Sequence, residues 1–289
     1  MAINKNFYIG IDVGGTKIAS VLLDEKHKTI EHLTLATPKD SLEHFLIMVS
    51  AAVDPLLKTI EKKKGHLVGI GIGAPGPIDH AKNQVIVAPN LPLLNKVKLG
   101  ELILKQINQP NLPYLLDNDA NCFVRAEGIL GAGAKSNNFF GIGIGTGIGG
   151  GWWYNGDIYH GGHGSGSEPG HIIVDFDNLI TLEQAYHKLT QNNPAILAEE
   201  AYKGDILAGQ KFAEIGAYLG IAFSTIVNLF DPEMIILFGG ALASSDLFLN
   251  AAKEALKKHT FAREAHSVKL IKGKLGPLAG AIGAALLIK

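Results

Sequence analysis

Two glycine turns in this 289-residue chain carry the residue types that seat a phosphate. The first, Asp12-Val13-Gly14-Gly15-Thr16-Lys17, sets a carboxylate, two glycines and a hydroxyl between apolar stretches. These are the parts that hold a phosphate beside a hydrated Mg²⁺: amide donors, no Cβ in the way, and a carboxylate near the metal. The second, Gly141 to Gly151, reads GIGIGTGIGGG, seven glycines in eleven residues. So many glycines cost conformational entropy, and a core gains from them only where the backbone approaches something closely or takes positive φ. Such a turn aims several N–H groups into one concavity. Taken singly, each stretch also reads as a plain hairpin turn, and Lys17 as a solvated lysine.

Strands and helices must position these turns. Phe7 to Val13 with Ile18 to Leu23 predicts a hairpin, and Phe140 to Tyr154 predicts a second. Ser41 as N-cap and the spacing of Leu42, Phe45, Leu46, Val49, Val53, Leu56 and Ile60 predict a helix over 41–64. Leu67 to Ile72 is a strand leading into the stiff loop Ala74-Pro75-Gly76-Pro77, and Asn90 lies in a proline-flanked turn. Tyr114 to Leu116 is a strand ending in Asp117-Asn118-Asp119-Ala120-Asn121, with a helix over 120–130 behind it. Asp119 stands where a carboxylate is commonly a cap, and Asp117 shares its face two residues back. Residues 155–167 read as a mobile glycine-rich loop before Glu168-Pro169-Gly170-His171, where a histidine taken alone reads as a surface or core residue. Helices follow over 181–189, 193–202 and 205–228. A strand over 234–238 ends in Gly239-Gly240, Ser244-Ser245 predict the cap of a helix over 246–259, and a small-residue helix begins after Gly276.

Several classes are excluded. Gly71, Gly73 and Gly76 have the dinucleotide-binding spacing, but Pro75 and Pro77 bar the helix it needs. Gly145, Gly147 and Gly150 repeat the spacing ahead of Trp152-Trp153-Tyr154, which predicts a strand. The first turn is not a P-loop, since no Gly-Lys-Ser/Thr follows at the required distance. A net charge of -1 gives no electrostatic case for nucleic acid or an anionic membrane. One cysteine, Cys122, excludes a disulfide framework. The first residues lack a signal peptide's apolar core, and the apolar run Ile215 to Phe230 reads as too short and too polar to span a bilayer. The expectation is a cytoplasmic α/β protein.

Together these pieces resemble the ROK (repressor, open reading frame, kinase) family, within the actin-like ATPase and sugar kinase superfamily, over nearly the whole chain. Ile9 to Lys17 looks like its first phosphate loop, Gly143 to Gly151 its second, Leu237 to Ala241 its adenosine motif, and Ala279 to Gly283 the helix coupling its domains. The resemblance implies a glucokinase-like hexose kinase using ATP and Mg²⁺. ATP would be held by Asp12, Gly14, Gly15, Thr16, Lys17, Gly145, Thr146, Gly147, Gly239 and Gly240, with Asp12 binding Mg²⁺ through water. It implies Asp119 as the catalytic base and Ala74, Pro75, Gly76, Asn90, Asn118, Glu168, His171 and Glu183 about the sugar. Fructose, mannose and N-acetylhexosamines stand beside glucose, and a sugar sensor without catalysis is the other reading. DNA repressors of the family carry a further domain ahead of the first phosphate loop, which here starts within ten residues. Homodimers are common in the family. One departure is plain: the family's cysteine-rich zinc loop is missing, because 172–181 holds no cysteine, so no structural zinc on thiolates is expected.

A hairpin with a glycine turn opens each half of the chain. The expected architecture is therefore the two-domain, ribonuclease H-like α/β fold of that superfamily, with an ATP and sugar cleft between domains. Residues 1–117 form the first domain, 118–276 the second, and a terminal helix over 277–289 packs back on the first.

Overall fold

The computed structural model describes residues 5–288. Apolar strands flanked by amphipathic helices give two five-stranded sheets with one wiring. In the first, β1 (Asn6–Val13), β2 (Lys17–Asp24) and β3 (Thr29–Ala36) form an antiparallel meander. α1 (Leu42–Lys62) then leads to β4 (His66–Ala74), which pairs parallel to β1. Beyond a ribbon of β5 (Ile78–Asp79) and β6 (Gln84–Val85) come α2 (Leu99–Gln106), β7 (Tyr114–Asn118) and α3 (Asp119–Ile129). The sheet order is β3-β2-β1-β4-β7.

The second sheet repeats this. β8 (Asn138–Ile144), β9 (Ile148–Tyr154) and β10 (Asp157–Ile158) are antiparallel neighbours. A ribbon of β11 (Ile173–Asp175) and β12 (Ile180–Thr181) precedes α4 (Leu182–Thr190), α5 (Pro194–Tyr202) and α6 (Ile206–Phe230). β13 (Met234–Phe238), α7 (Leu249–His259) and β14 (Lys269–Lys272) follow, and α8 (Ala279–Ala285) is last. The order β10-β9-β8-β13-β14 again runs third, second, first, fourth, fifth, so the echo between the two halves is a repeated topology. Each sheet has its own apolar core.

The chain divides into two compact units. One takes the described chain to Gly131, His160–Gly166 and the chain from Leu275; the other takes Ala132–Tyr159 and Ser167–Lys274. This differs from the boundary after residue 117 that the sequence suggested. The reason is a seam of close backbone contacts that ties α3 to the first sheet through α8. Gly10 and Gly71 are paired neighbours on β1 and β4. A Cβ on Gly71 would lie 1.7 Å from the Ala284 carbonyl oxygen, and one on Gly283 of α8 would lie 1.6 Å from that of Cys122 in α3. Gly71→Ala is therefore expected to destabilise the first unit by about 3 kcal/mol or more, because backbone must move to admit the methyl. A lowered urea midpoint checks this; an unchanged midpoint would mean the seam opens freely.

Three local readings change. β3 was not anticipated, since its alternating half-exposed residues, TIEHLTLA, carry no apolar run. Ser244 and Ser245 do not cap α7: they lie in a 3₁₀ stretch, Gly240–Leu247, and α7 starts behind Phe248 without a side-chain cap. The long helix α6 starts where the sequence placed it, nine residues ahead of its most apolar run, with the Asp205 carboxylate accepting from the Leu207 and Ala208 amides. Its 25 residues are long and apolar enough to cross a membrane, contrary to the expectation that its apolar run is too short and too polar. Its buried stripe of Phe212, Ile215, Leu219, Phe223 and Ile226 belongs to the core of the second unit, and Gly216 and Gly220 admit the backbone of α7.

Candidate functional site

In the first unit the β1–β2 turn is closed by the Gly14 amide donating to the Lys17 carbonyl at 2.9 Å. The Thr37 hydroxyl braces it by donating to the Gly14 carbonyl at 2.7 Å, a support the sequence did not reveal. Gly15 backs onto Asn90, whose Cβ lies 3.3 Å from the point a Gly15 Cβ would occupy. The turn expected to seat a phosphate and one expected sugar residue are thus neighbours. Lys17 is exposed and donates to the Pro277 carbonyl at 3.2 Å, so it is not simply solvated.

Asp12, the last residue but one of β1, sets its carboxylate against Gly280 of α8; a Cβ there would fall 2.6 Å from an Asp12 oxygen. Burial pushes the Asp12 carboxyl up from 3.8 to about 6, with Lys17 pulling weakly the other way. A half-buried carboxylate whose charge is weakly compensated favours a cation beside it. One hard oxygen donor suits a hydrated Mg²⁺, which keeps most of its waters.

The strand-to-helix junction at β7 and α3 separates the roles of its polar residues. Asn118 is the N-cap: its Oδ1 accepts from the Ala120 and Asn121 amides at 2.9 and 3.2 Å. Its Nδ2 donates to the Gly76 carbonyl at 3.1 Å, tying this junction to the Ala74–Pro77 loop. Gly76 takes φ +82 there, and any Cβ would strike the Val87 carbonyl. Ala74 and Pro75 are buried beneath it. Asp119 occupies the first helical position, half-buried, with its Oδ1 accepting from the Ala120 amide at 2.9 Å.

Asp117 is nearly sealed, at 1% exposure. Its carboxylate accepts from the Asn118 amide at 2.8 Å and Asn121 Nδ2 at 3.1 Å. It also meets His160 Nε2 at 3.0 Å and an Arg125 guanidinium nitrogen at 3.6 Å. Burial works to raise this carboxyl, but His160, Asn121 and Arg125 outweigh it and hold Asp117 below the usual carboxylate range. His80 Nε2 lies 4.0 Å from Asp117, and burial lowers its own ring while Asp117 opposes the change. The glycine-rich 155–167 segment is therefore not uniformly a free loop, since it contains β10 and anchors the first unit through His160. Neither histidine was singled out from sequence, because their partner lies across a long stretch of chain.

In the second unit the β8–β9 turn is closed by the Gly145 amide donating to the Gly147 carbonyl at 3.0 Å. No glycine of 141–151 takes a left-handed φ; close approach explains them instead. A Gly147 Cβ would press on the Glu183 carboxylate, and a Gly150 Cβ on Pro169. One face of α4 braces the whole turn. Glu183 accepts from the Ile148 amide at 2.6 Å, the Tyr186 hydroxyl donates to the Gly145 carbonyl at 3.1 Å, and His187 Nε2 donates to the Thr146 carbonyl at 2.8 Å. Tyr186 and His187 are further residues missed from sequence, although their spacing from Glu183 follows the helical repeat. At the end of β13, Gly239 (φ +97) packs on the Ile144 backbone, and the Gly240 amide lies 4.0 Å from a Gly145 Cβ. The turn and the Gly239-Gly240 corner are contiguous.

Glu168 precedes a 3₁₀ turn, Pro169–His171, in which Gly170 packs on Ile148 and the Glu183 Cβ. Burial pushes the Glu168 carboxyl up, His171 lowers it and Glu183 raises it again, so the three expected sugar residues of this unit lie within electrostatic reach of one another. His171 is exposed.

The ROK family profile matches residues 8–289. A glucokinase of Halalkalibacterium halodurans is 30% identical, over 98% of this chain and 95% of its own length. A xylose repressor of Bacillus spizizenii is 28% identical, over 96% of this chain and 75% of its own length. Among solved structures, a ROK family glucokinase from Streptomyces griseus in complex with glucose and AMPPNP superposes with a TM-score of 0.79. It is 27% identical, with 98% of this chain and 99% of that one covered.

Proposed function

The chain belongs to the ROK family, and from that premise we propose that it is an ATP-dependent hexose kinase of glucokinase type, with Asp119 as general base. The fold is the actin-like ATPase fold of the family's sugar kinases. The observation carrying the proposal is the division of labour at the end of β7. Asn118 caps α3 and holds the Gly76 loop, while Asp117 is enclosed by its own partners. Asp119 shares the Ala120 amide with that cap but is not the N-cap, and it stands beside the loop read as a sugar contact.

A sugar hydroxyl is a poor nucleophile at neutral pH. A carboxylate within hydrogen-bond reach orients it and takes its proton as the new P–O bond forms. In this reading Asp119 does so, and Asn90, Glu168 and His171 fix the sugar through its other hydroxyls. Glu183 has one carboxylate oxygen on the Ile148 amide, so it serves first to shape the second phosphate turn. The Gly14–Thr16 and Gly145–Gly147 backbones are read as donors to the phosphates, and the Gly239-Gly240 corner as the wall beside the nucleoside. Mg²⁺, held through water at Asp12, would supply charge neutralisation for the transferred phosphoryl group.

A coupled ADP-release assay with Mg-ATP against glucose, mannose, fructose and N-acetylhexosamines tests the proposal. Turnover on one of them supports it. Saturable sugar binding without ADP release would instead favour a sugar sensor, a reading kept in view by the match to repressors.

A further inference from the structure

A second chemistry lies one residue away from the proposed catalytic segment and plays no part in phosphoryl transfer. His80, at the end of β5, and His160, in the segment that joins the first unit, both turn Nε2 toward the Asp117 carboxylate. The three candidate ligand atoms lie within 4.8 Å of one another, and the two imidazoles meet edge to face at 4.6 Å between centroids. We propose that His80, Asp117 and His160 form a three-ligand site for a divalent transition metal, with Zn²⁺ the best match. The inference does not depend on the kinase reading.

The donor set is the first argument. Two imidazoles and one carboxylate suit Zn²⁺ and its neighbours, and leave a fourth position for water. Distances are the second. Tetrahedral bonds of 2.0–2.2 Å put neighbouring ligand atoms roughly 3.4 Å apart. His160 Nε2 lies 3.0 Å from Asp117 Oδ2 and His80 Nε2 lies 4.0 Å from Asp117 Oδ1, so His160 is already at ligand spacing and the exposed His80 ring closes on the same ion by rotating inward. Coordination through His160 Nε2 needs only that the proton shared with Asp117 move to Nδ1. The surroundings are the third. Asp117 is fixed by the Asn118 amide and the Asn121 side chain, the kind of outer contact that orients a ligand. Arg125, 3.6 Å from Asp117, adds a competing positive charge, so weaker binding than at a closed thiolate site follows.

This site is distinct from the thiolate loop, which 172–181 lacks. Its effect would be to pin His160–Gly166 onto the end of β7. That segment already touches β5, where a Gly164 Cβ would lie 2.9 Å from the Ile78 carbonyl.

The test uses the full chain stripped with EDTA, then titrated with Zn²⁺ and followed by thermal unfolding. Co²⁺ as a probe adds visible absorption bands of a low-coordinate site. The expected result is a rise in Tm of about 5–10 °C at a hundredfold excess of Zn²⁺ over its Kd. The rise and the Co²⁺ bands should both be lost in His80→Ala and in His160→Ala. His160→Gln, which keeps a donor to Asp117, replaces His160→Ala if the metal-free alanine variant melts early. No rise in the unsubstituted chain, or a rise that survives in either variant, overturns the proposal.

Discussion

Asp119→Asn is expected to lower turnover on the preferred sugar by about 10²–10⁴-fold with little change in KM for the sugar or in Tm. The structure explains why the fold should tolerate it. Asn118 caps α3, and the asparagine Oδ1 at 119 can still accept from the Ala120 amide. What disappears is the capacity to take a proton. The amide still positions a hydroxyl, so the loss should fall on kcat. Asp117→Asn makes the contrast, because it removes the charge that His160 and Arg125 share. That variant should lose thermal stability before it loses chemistry. Steady-state kinetics and melting curves on both variants separate the cases. Near-normal turnover in Asp119→Asn would return the base to Asp117 or remove it altogether.

Asp12→Asn is expected to abolish most Mg-ATP-dependent turnover while making the metal-free protein more stable at neutral pH. The sign follows from burial. A carboxyl whose folded pKa rises from 3.8 to about 6 favours folding in its protonated form. That contribution is fully present below about pH 4 and is lost as pH climbs through 6. The change is at most about 3 kcal/mol, and less to the extent that solvent reaches the group. Asparagine removes the titration. The Tm of the variant should therefore pull ahead of the unsubstituted chain between about pH 4 and pH 6 and keep that lead above it, and Mg²⁺ should raise Tm only in the unsubstituted chain. Parallel Tm–pH curves for the two proteins would show that the Asp12 carboxylate is compensated by some other group.

Much of this was legible in the chain. Both glycine turns, the Ala74–Pro77 loop, the Asn118-Asp119 junction and the Gly239-Gly240 corner are local patterns, each readable within a dozen residues. The sheet wiring was partly legible because a hairpin opens both halves. What escaped depends on contacts between distant segments. Asp117 gave no hint of its partners because His80 and His160 are 37 and 43 residues away. Tyr186 and His187 read as ordinary helix residues, and only the packing of α4 along the β8–β9 turn gives them a role. The division into units escaped for a similar reason, since α3 reads as the start of a new domain unless the helix that clamps it is known. The glycines of 141–151 were rightly read as a backbone requirement, but the demand comes from Glu183, Pro169 and Phe238 pressing close and not from unusual φ.

The glycine-floored seam beneath α8 has a consequence for synthesis. β7 and α3 leave the ribosome about 150 residues before α8, an interval of roughly 8–30 s at ordinary elongation rates. During it, the groove over Gly10 and Gly71 stands open on a nascent sheet whose strands are otherwise paired. The second unit has all of its segments by Lys274. It can finish first, although it begins later. An arrest series should show protease resistance in the second unit preceding that of the first, the reverse of the order in which the two begin.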